Sequence, residues 1–425
     1  MTASDTMAAT GGQKGRRICF VSHDPGTQGA ERAMLDMALL FHEAGWSVTL
    51  LVPEGAGGLV ELVRDAGLRV QTMAYRYWMG PGRLKGRLLR IASHLRAVPR
   101  LAAWFRAEAF DVVYTHSTAT GAPALAAQRA GIPHVWHMHE FGPYAKGGNA
   151  PVYDLGEART LRLMRDSGSV FVAVAHVIRD AFAPRLPGAE IRVIYQPVPF
   201  DPEPAAGDAA AVAQIAAITG PKIIYVGAVT PTKRQEDAVR ALPALLARFP
   251  EARLILGGRT NTPYFDEVMA LARELGVDHA IVPLGYLKNA PAIIGLCDIS
   301  INCRLAEASP RVLVESMFAG TCVIAAGEGG NVESLPPGTG LLYAPMDGPD
   351  LAAKILHVLD HPEERAAMIA TAHDKAVQER SVDIYSKTYV ALIEDAIDAA
   401  RALRASTRSC PPCPMPRPIP CPKSR

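Results

Sequence analysis

The sequence predicts an α/β protein made of two doubly wound, parallel-sheet domains that face each other across a cleft. Two observations lead to this fold class. Short apolar runs alternate with stretches of helical periodicity along most of the chain, as they do in repeated βαβ units. The alternation stops once, between Gln196 and Pro221, where five prolines and two glycines surround a run of alanines. We therefore expect one domain on each side of a short linker.

Length and composition agree with this fold class and exclude several others. The 425 residues can form two or three domains of about 100–200 residues each. The net charge of +2 argues against a strongly basic nucleic-acid-binding protein, and seven cysteines, an odd number, argue against a disulfide scaffold. No run of about 18 apolar residues is present, and residues 1–17 contain no apolar export segment. We therefore expect a cytoplasmic protein.

The first domain begins with an apolar strand at Arg17–Ser22. A glycine-containing loop leads into a helix at Glu31–Ala44, which Gly45 ends. A strand at Val48–Val52 completes a βαβ unit. Four further strands are predicted at Asp111–Thr115, His134–Met138, Val170–Val174 and Ile191–Ile194.

The second domain repeats the alternation after the linker. Helices are predicted at Gln235–Arg248, Tyr264–Leu275 and Pro310–Ala319, and two long helices at Pro362–Glu379 and Asp383–Ala402 follow. The predicted strands are Lys222–Val226, Arg253–Gly257, Ala280–Pro283, Ile299–Asn302, Cys322–Ala325 and Leu341–Tyr343.

These elements divide the chain into six predicted segments. Residues 1–15 are a disordered N-terminus, 16–200 the first domain, 201–220 the linker and 221–380 the second domain. Residues 381–404 form a helix that crosses back to the first domain. Residues 405–425 contain seven prolines and are expected to be disordered.

One motif, which follows the strand Ile299–Asn302, points to chemistry. Ser309 as N-cap and Pro310 as first helical residue predict a helix start. Such an N-terminus suits a phosphate, because its N–H groups are unpaired and its dipole end is positive. Arg311 opposes that dipole unless an anion binds, and Glu315 lies in an apolar run and needs a hydrogen-bonding partner such as a sugar diol. By periodicity alone, a surface helix with solvated glutamates is the alternative.

Glu307 and Glu315 have the E-x7-E spacing and resemble the motif of retaining glycosyltransferases of the GT-B fold, GT4 type. The resemblance covers about residues 16–403 and implies two Rossmann-like domains, the first on the acceptor side and the second binding the donor. The other similar motifs are Gly29–Glu31, Asp111–Ser117, Gly131–Glu140, Gly227 with Lys233, Gly329–Glu333 and Gly340–Leu342.

The resemblance implies transfer of a sugar from a nucleoside-diphosphate sugar to an acceptor, with retention of the anomeric configuration. Lys233 would stabilise the charge of the leaving diphosphate. Glu307 would contact the transferred sugar, His139 would lie beside that sugar, and Glu315 would bind the ribose hydroxyls. His139, Glu307 and Lys233 are therefore the candidate catalytic residues. The alternatives are a structural histidine of the core at His139 and an ordinary surface lysine at Lys233.

The remaining donor and acceptor positions follow from the same resemblance. Gly29 would let the backbone approach the diphosphate or the acceptor, although a plain tight turn is the alternative, and Gly227 is the donor-side glycine of the loop that opens the second domain. His116 and Glu31 are placed on the acceptor side. His134 and His137 are weaker candidates, and His137 is interpreted as structural.

The chain departs from the family pattern at Ala228, where an arginine that contacts phosphate is usual. We hypothesise that Arg311 or Arg234 supplies the missing cation. The segment Ile194–Pro197 also replaces an Asn-Gly pair of the family. No cofactor besides the donor and no metal is expected, because the sequence contains no Asp-x-Asp pair. The cysteines of the tail are interpreted as chance spacing.

A basic segment predicts a membrane contact. Residues 66–107 contain nine basic and no acidic residues, which leaves 35 basic against 42 acidic residues elsewhere. An amphipathic helix from Arg83 onward would place Arg83, Arg87 and Arg90 on an anionic membrane, with His94 on the same polar face. The resemblance implies such docking toward a lipid-linked or saccharide acceptor on the inner face of the plasma membrane. A core-packed helix with a solvated arginine face is the alternative.

The sequence therefore predicts a glycosyltransferase of bacterial cell-surface polysaccharide or glycolipid synthesis. Three other functions are kept open. A non-catalytic partner subunit is suggested by Ala228, and a nucleoside-diphosphate-sugar epimerase would share the fold. An oxidoreductase is suggested by Gly26 and Gly29 after the first strand, although the full G-x-G-x-x-G motif is missing.

Overall fold

The computed structural model describes residues 15–27, 29–143 and 151–408. The predicted proline-rich tail from residue 409 onward, with Cys410 and Cys413, lies outside these ranges, as do residues 1–14 of the predicted N-terminus. In the described part, the last helix, α15 (Val382–Arg408), continues four residues past its predicted end at residue 404. None of the helices described is both long and apolar enough to span a bilayer.

Two parallel sheets form the framework, in agreement with the predicted fold class. The first has the strand order β3-β2-β1-β5-β6-β8-β9. It contains β1 (Arg17–Val21), β2 (Ser47–Pro53), β3 (Arg69–Met73), β5 (Val112–Thr115), β6 (His134–Met138), β8 (Val170–Ala173) and β9 (Ile191–Val193). A separate antiparallel ribbon pairs β4 (Met79–Gly80) with β7 (Val152–Tyr153).

The second sheet has the order β12-β11-β10-β13-β14-β15. Its central strands are buried over most of their length, as expected for strands with helices on both faces of the sheet. The strands are β10 (Lys222–Val226), β11 (Arg253–Gly257), β12 (Ile281–Gly285), β13 (Ile299–Asn302), β14 (Cys322–Ala326) and β15 (Leu341–Tyr343).

Helices cover both sheets. In the first domain they are α1 (Gly29–Glu43), α2 (Leu59–Asp65), α3 (Leu84–Ala107), α4 (Ala122–Ala130), α5 (Glu157–Ser167) and α6 (His176–Phe182). The linker contains α7 (Ala209–Ala216). The second domain has α8 (Gln235–Arg248), α9 (Pro263–Glu274), α10 (Ala290–Ile294), α11 (Arg311–Phe318), α12 (Gly330–Ser334), α13 (Gly348–Asp360), α14 (Pro362–Arg380) and α15 (Val382–Arg408).

The last helix, α15, packs on the first sheet rather than on the second. Tyr389 and Ile393 are buried in the same hydrophobic cluster as Phe20, Leu50 and Val112. The Tyr389 hydroxyl donates a hydrogen bond to the backbone carbonyl of Ile194, at 3.0 Å. The core of the first domain is therefore completed by a segment that follows the second domain in the chain.

Helix α11, which contains the second glutamate of the E-x7-E motif, begins one residue later than predicted. Pro310 is the N-cap residue of α11, with extended backbone angles, and Arg311 is the first helical residue. No side chain caps this end, so Ser309 does not serve as N-cap. Gly320 follows the helix with a φ of 69°, a left-handed conformation that glycine adopts without strain.

Candidate active site in the interdomain cleft

Parallel strands of both domains end at the cleft, and the loops that follow them carry the polar residues of the site. On the second-domain side, Glu307 follows β13, and its carboxylate lies between two cations. Lys233 Nζ is 3.6 Å from Glu307 Oε2, and Arg304 Nε is 3.4 Å from the same oxygen. Burial lowers the pKa of Lys233, and the charge of Glu307 opposes that shift. The predicted pair Glu307 and Lys233 is thus in contact.

The loop that holds Glu307 is fixed by close backbone packing. Ala306 has a φ of 49°, in the left-handed region, and the Gly330 amide donates to the Glu307 carbonyl at 2.7 Å. A Cβ at Gly330 would lie 2.1 Å from the carbonyl oxygen of Ala308, and one at Gly329 would lie 2.7 Å from that of Glu307. Both glycines are therefore required for the position of this carboxylate.

Gly227 and Lys233 lie on one turn of the loop after β10. Gly227 has a φ of 149°, and a Cβ there would lie 3.7 Å from Lys233 Cε. The hydroxyl of Tyr225, a residue of β10, donates a hydrogen bond to the carbonyl oxygen of Lys233 at 2.6 Å and so ties the loop to the strand. The lysine is consequently presented on a fixed backbone at the end of the strand.

Arg234 does not lie where the phosphate hypothesis requires it. Its guanidinium contacts Asp237 at 2.7 Å and Glu236 at 3.1 Å, both on helix α8. The hydrogen bond to Asp237 raises the pKa of Arg234. The arginine is held by two carboxylates of its own helix, and these contacts give no support to the hypothesis that it replaces the missing cation at residue 228.

Arg311 is also partnered by carboxylates, and one of them comes from the opposite domain. Its Nη1 lies 2.9 Å from Asp36 Oδ2 on α1, and its Nε lies 3.7 Å from Glu315 Oε1. Burial raises the pKa of Glu315 and of Asp36, and Arg311 opposes both shifts. The conflict between Arg311 and the helix dipole is relieved by these two residues, without the anion expected from the sequence.

Three histidines meet on the first-domain wall of the cleft. His116 follows β5, and His137 and His139 lie on and just after β6. The ring centroids of His116 and His139 are 3.8 Å apart, and those of His137 and His139 are 4.0 Å apart. Burial lowers the pKa of all three, and the charge of Arg311 acts in the same direction on His116 and His139. Of the three, His139 is the one whose side chain is partly exposed.

The fourth histidine of this region, His134, has a structural position. It is fully buried, and its Nε2 lies 2.8 Å from the Thr115 hydroxyl. His137 is buried as well, and its Nε2 contacts the Tyr389 hydroxyl at 3.2 Å. The contacts of His134 are those of a structural residue. His137, in contrast, also belongs to the cluster with His116 and His139.

Gly29 and Glu31 begin helix α1, beside the cleft. A Cβ at Gly29 would meet no described atom within 4 Å, so the position is spatially open. Glu31 is buried, and its Oε1 lies 3.4 Å from His23 Nδ1. A cavity of about 300 Å³ opens next to this loop. Its lining includes His23, Asp24, Arg76, Tyr77, Leu89 and Arg90.

Four residues of the cleft were not given a role by the sequence. Arg304 and Asp36 contact the predicted residues as described. Glu140 accepts hydrogen bonds from the hydroxyls of Ser117 and Thr118, each at 2.7 Å, and holds the loop after β5. Glu333 accepts hydrogen bonds from two backbone amides at the N-terminus of α6 and from the Tyr195 hydroxyl; the amides belong to His176 and Val177, at 2.7 and 3.0 Å.

The basic helix α3 has a different orientation from the one predicted. Arg90 pairs with the buried carboxylate of Asp154 at 2.7 Å, and Arg87 donates to the Asp154 carbonyl. His94 is buried rather than solvated. Of the three arginines assigned to the membrane, only Arg83 is exposed. The exposed face is apolar instead, with Leu84, Leu88 and Leu95 at 70, 57 and 73% exposure.

Two family descriptions match the chain in tandem. "Glycosyl transferase 4-like domain" matches residues 28–198, and "Glycosyl transferases group 1" matches residues 213–375. The two matches cover both sheets in the order that the fold requires.

The chain belongs to the GT4-type glycosyltransferases. The family suggested by the E-x7-E spacing is thereby confirmed. Among curated relatives, D-inositol 3-phosphate glycosyltransferase 2 of Catenulispora acidiphila is 25% identical, over 92% of this chain and 97% of that protein. A glycogen synthase of Mycobacterium tuberculosis is 30% identical, over 59% of this chain and 61% of that protein. This family member thus spans about three fifths of the glycogen synthase that it matches.

Solved structures show the same fold. Anabaena HepE in complex with UDP and glucose has a TM-score of 0.72 and 21% identity, over 89% of this chain and 100% of that chain. A glycosyltransferase from Rickettsia africae has a TM-score of 0.75 and 18% identity, over 91 and 99%. These similarities confirm the GT-B fold of this GT4-type chain.

Proposed function

We propose that this chain is a retaining, metal-independent glycosyltransferase that moves a sugar from a nucleoside-diphosphate sugar to an acceptor of cell-surface polysaccharide or glycolipid synthesis. The observation that carries the proposal is the buried Glu307 carboxylate held between Lys233 and Arg304 after the end of β13. Relatives whose names specify inositol phosphate glycosylation and phosphatidylinositol mannoside mannosylation support the acceptor class.

Lys233 and Arg304 supply the positive charge that stabilises a departing diphosphate. Negative charge grows on the leaving diphosphate in the transition state, and a cation fixed in place beforehand stabilises it without reorganisation. Lys233 is fixed by its loop and by Glu307. When a donor binds, the diphosphate takes over part of the contact that Glu307 makes in its absence, which frees that carboxylate for the sugar. Glu315, buried beside Arg311, is left for the ribose hydroxyls.

Arg304 is the residue that compensates for Ala228. Its side chain is 37% exposed, compared with 21% for Arg234 and 20% for Arg311, and within the described residues its ionic partner is the carboxylate that it shares with Lys233. A guanidinium in this position can form charge-assisted hydrogen bonds with phosphate oxygens. Arg304 therefore takes the role that the sequence assigned to Arg311 or Arg234.

Replacing Arg304 by alanine should weaken binding of the nucleoside diphosphate about 10-fold or more, since one hydrogen bond to a charged group is worth about 1.5–3 kcal/mol. Isothermal titration with UDP and GDP measures the change. Arg259→Ala, which removes an exposed arginine of the same domain, serves as the matched control. Equal effects of the two substitutions would contradict the role of Arg304.

The overall function is tested with a panel of nucleoside-diphosphate sugars and a membrane extract. Incorporation of sugar into the extract is the expected result, with the released nucleoside diphosphate in equal amount. Isomerised donor would identify an epimerase instead, and binding without turnover would identify a partner subunit. Activity that survives EDTA supports the metal-independent mechanism.

We also propose that the exposed leucines of α3, and not its arginines at 87 and 90, dock the protein on an anionic membrane. Leu84, Leu88 and Leu95 lie on one helix face, and the exposed Lys85, Arg96 and Arg100 flank them. Apolar side chains that enter the headgroup region, together with flanking cations, are the physical basis of interfacial binding. Leu89 and Gly86 of the same helix line the 300 Å³ cavity, which would receive the acceptor from the membrane side.

Replacing all three leucines by serine should abolish flotation with anionic vesicles at low salt. Leu275→Ser with Leu296→Ser, two exposed leucines of the second domain, should leave flotation unchanged. Vesicles of neutral lipid test the contribution of the flanking cations. Absence of wild-type flotation at low salt would overturn this proposal.

A further inference from the structure

The histidine cluster of the first-domain wall has the arrangement of a metal site. Strands β5 and β6 are parallel neighbours, with Thr115 opposite Trp136, so the next pair along is His116 and His137. Side chains alternate along a strand, which places His139 on the same face as His137. The ligand nitrogens of the three residues all lie within 4.8 Å of one another.

The hydrogen bonds around His137 leave one of its lone pairs without a partner. The Tyr389 hydroxyl has a single proton, which it donates to the Ile194 carbonyl. The hydroxyl must therefore accept a hydrogen bond from His137 Nε2, 3.2 Å away, so Nε2 carries the proton and Nδ1 carries the lone pair. Among the described residues, no group hydrogen-bonds to His137 Nδ1, which is buried.

The other two rings support the same site. Nε2 of His139 is buried and has no hydrogen-bonding partner in the described part of the chain. The Gln196 amide nitrogen lies 3.3 Å from His116 Nε2 and donates to it, so a metal at that nitrogen would replace this hydrogen bond. Burial favours the neutral form of all three imidazoles, which is the form that binds metal. Tyr389, which accepts the N–H of His137, is the kind of partner that the outer shell of a metal site provides.

We propose that His116, His137 and His139 bind a divalent transition-metal ion, Zn²⁺ in particular, on the first-domain wall of the cleft. Three imidazoles with a fourth position open to solvent form a known type of zinc coordination. Zn–N distances of about 2.0–2.1 Å in a tetrahedral arrangement require nitrogens roughly 3.3 Å apart. The ring centroids lie 3.8, 4.0 and 4.8 Å apart, closer than in a tetrahedral site, so the rings must move apart and turn their lone pairs inward when the ion binds.

Metal binding at this place would occupy the lone pair of His139. This consequence rests on the proposed function, in which His139 lies beside the donor sugar. Zn²⁺ would then act as an inhibitor that competes with the sugar part of the donor, while transfer itself proceeds without metal. Binding of the metal does not depend on that function and can be tested separately.

The experiment measures Zn²⁺ binding to the full-length chain by equilibrium dialysis after removal of metal with EDTA. We expect one Zn²⁺ per chain, lost in His137→Asn and retained in His134→Gln, a buried histidine of the same strand outside the cluster. The triple variant Cys410→Ser, Cys413→Ser and Cys421→Ser should also retain the ion. Binding that is insensitive to His137→Asn, or is lost in the cysteine variant, would overturn the site.

A second measurement needs no substitution in the cluster. Co²⁺ added to the wild-type chain should give the visible absorption of tetrahedral cobalt without the near-ultraviolet band of thiolate ligands. Absence of tetrahedral bands would also overturn the site. In the transfer assay, stoichiometric Zn²⁺ should raise the apparent KM for the donor sugar, and His137→Asn should abolish that rise. If Zn²⁺ binds and donor kinetics do not change, the site stands and its link to the donor is refuted.

Discussion

Replacing Lys233 by methionine should reduce kcat/KM for sugar transfer by about 10²–10³-fold, the usual effect of removing one fixed group that stabilises transition-state charge. Methionine keeps much of the length and the apolar stem of lysine but removes the cation. The loss should fall mainly on kcat, because Arg304 remains to hold the diphosphate in the ground state. Initial rates with the donor identified by the sugar panel provide the measurement.

A matched control shows whether the rate depends on the cation at the site or on loss of any lysine charge from the domain. Lys354→Met removes the ammonium group of a partly exposed lysine on α13, where it pairs with Asp350 at 3.8 Å. This variant should retain wild-type rates. Lys233→Met must also keep its melting temperature within a few degrees, so that the rate reports chemistry. A loss of less than 5-fold in a folded Lys233→Met protein would exclude the lysine from the transition state.

Replacing Glu307 by glutamine should have a comparable effect on kcat, about 100-fold or more, with the opposite effect on nucleotide binding. Glutamine has nearly the same shape but cannot neutralise Lys233 and Arg304, which then present uncompensated positive charge to the diphosphate. Nucleoside diphosphate should therefore bind as tightly as before or more tightly. The opposite changes in turnover and affinity distinguish a catalytic carboxylate from a merely structural one.

Titration calorimetry with the nucleoside diphosphate and initial rates on the same protein preparation test this prediction. Glu236→Gln is the control, because that carboxylate also contacts an arginine of the second domain, Arg234, at 3.1 Å. It should leave both quantities unchanged. Weakened nucleotide binding in Glu307→Gln, with turnover intact, would show that the carboxylate serves only to position the two cations.

The sequence predicted best the strands that are rich in apolar residues. Strands β6, β10, β11, β13 and β15 have the predicted bounds, and all of these except β15 are buried over most of their length. Strand β3 was not predicted. It lies at the sheet edge, its residues are mostly exposed or half-buried, and its composition carries no apolar signal.

Within the site, the sequence identified residues by their place after a strand but not their partners. Lys233 and Glu307 are 74 positions apart in the sequence and were assigned to one site only through the family resemblance; their contact, at 3.6 Å, could not be predicted from local pattern. Arg311 was assigned to phosphate because its contact with Asp36, which belongs to the other domain, cannot be predicted from the residues around Arg311. Arg90 was assigned to the membrane-facing side of its helix for the same reason, since Asp154 lies 64 residues away.

Helix α15 has a consequence for how this chain is made. Tyr389 is buried in the core of the first domain, and its hydroxyl donates a hydrogen bond to Ile194, which lies 195 residues earlier in the chain. During synthesis the first sheet therefore emerges from the ribosome long before its covering helix, whereas the second domain emerges complete ahead of α15. Nascent chains at that stage expose part of the first core, and their final compaction waits for the last helix. Fragments cut at the linker should inherit the same defect and aggregate.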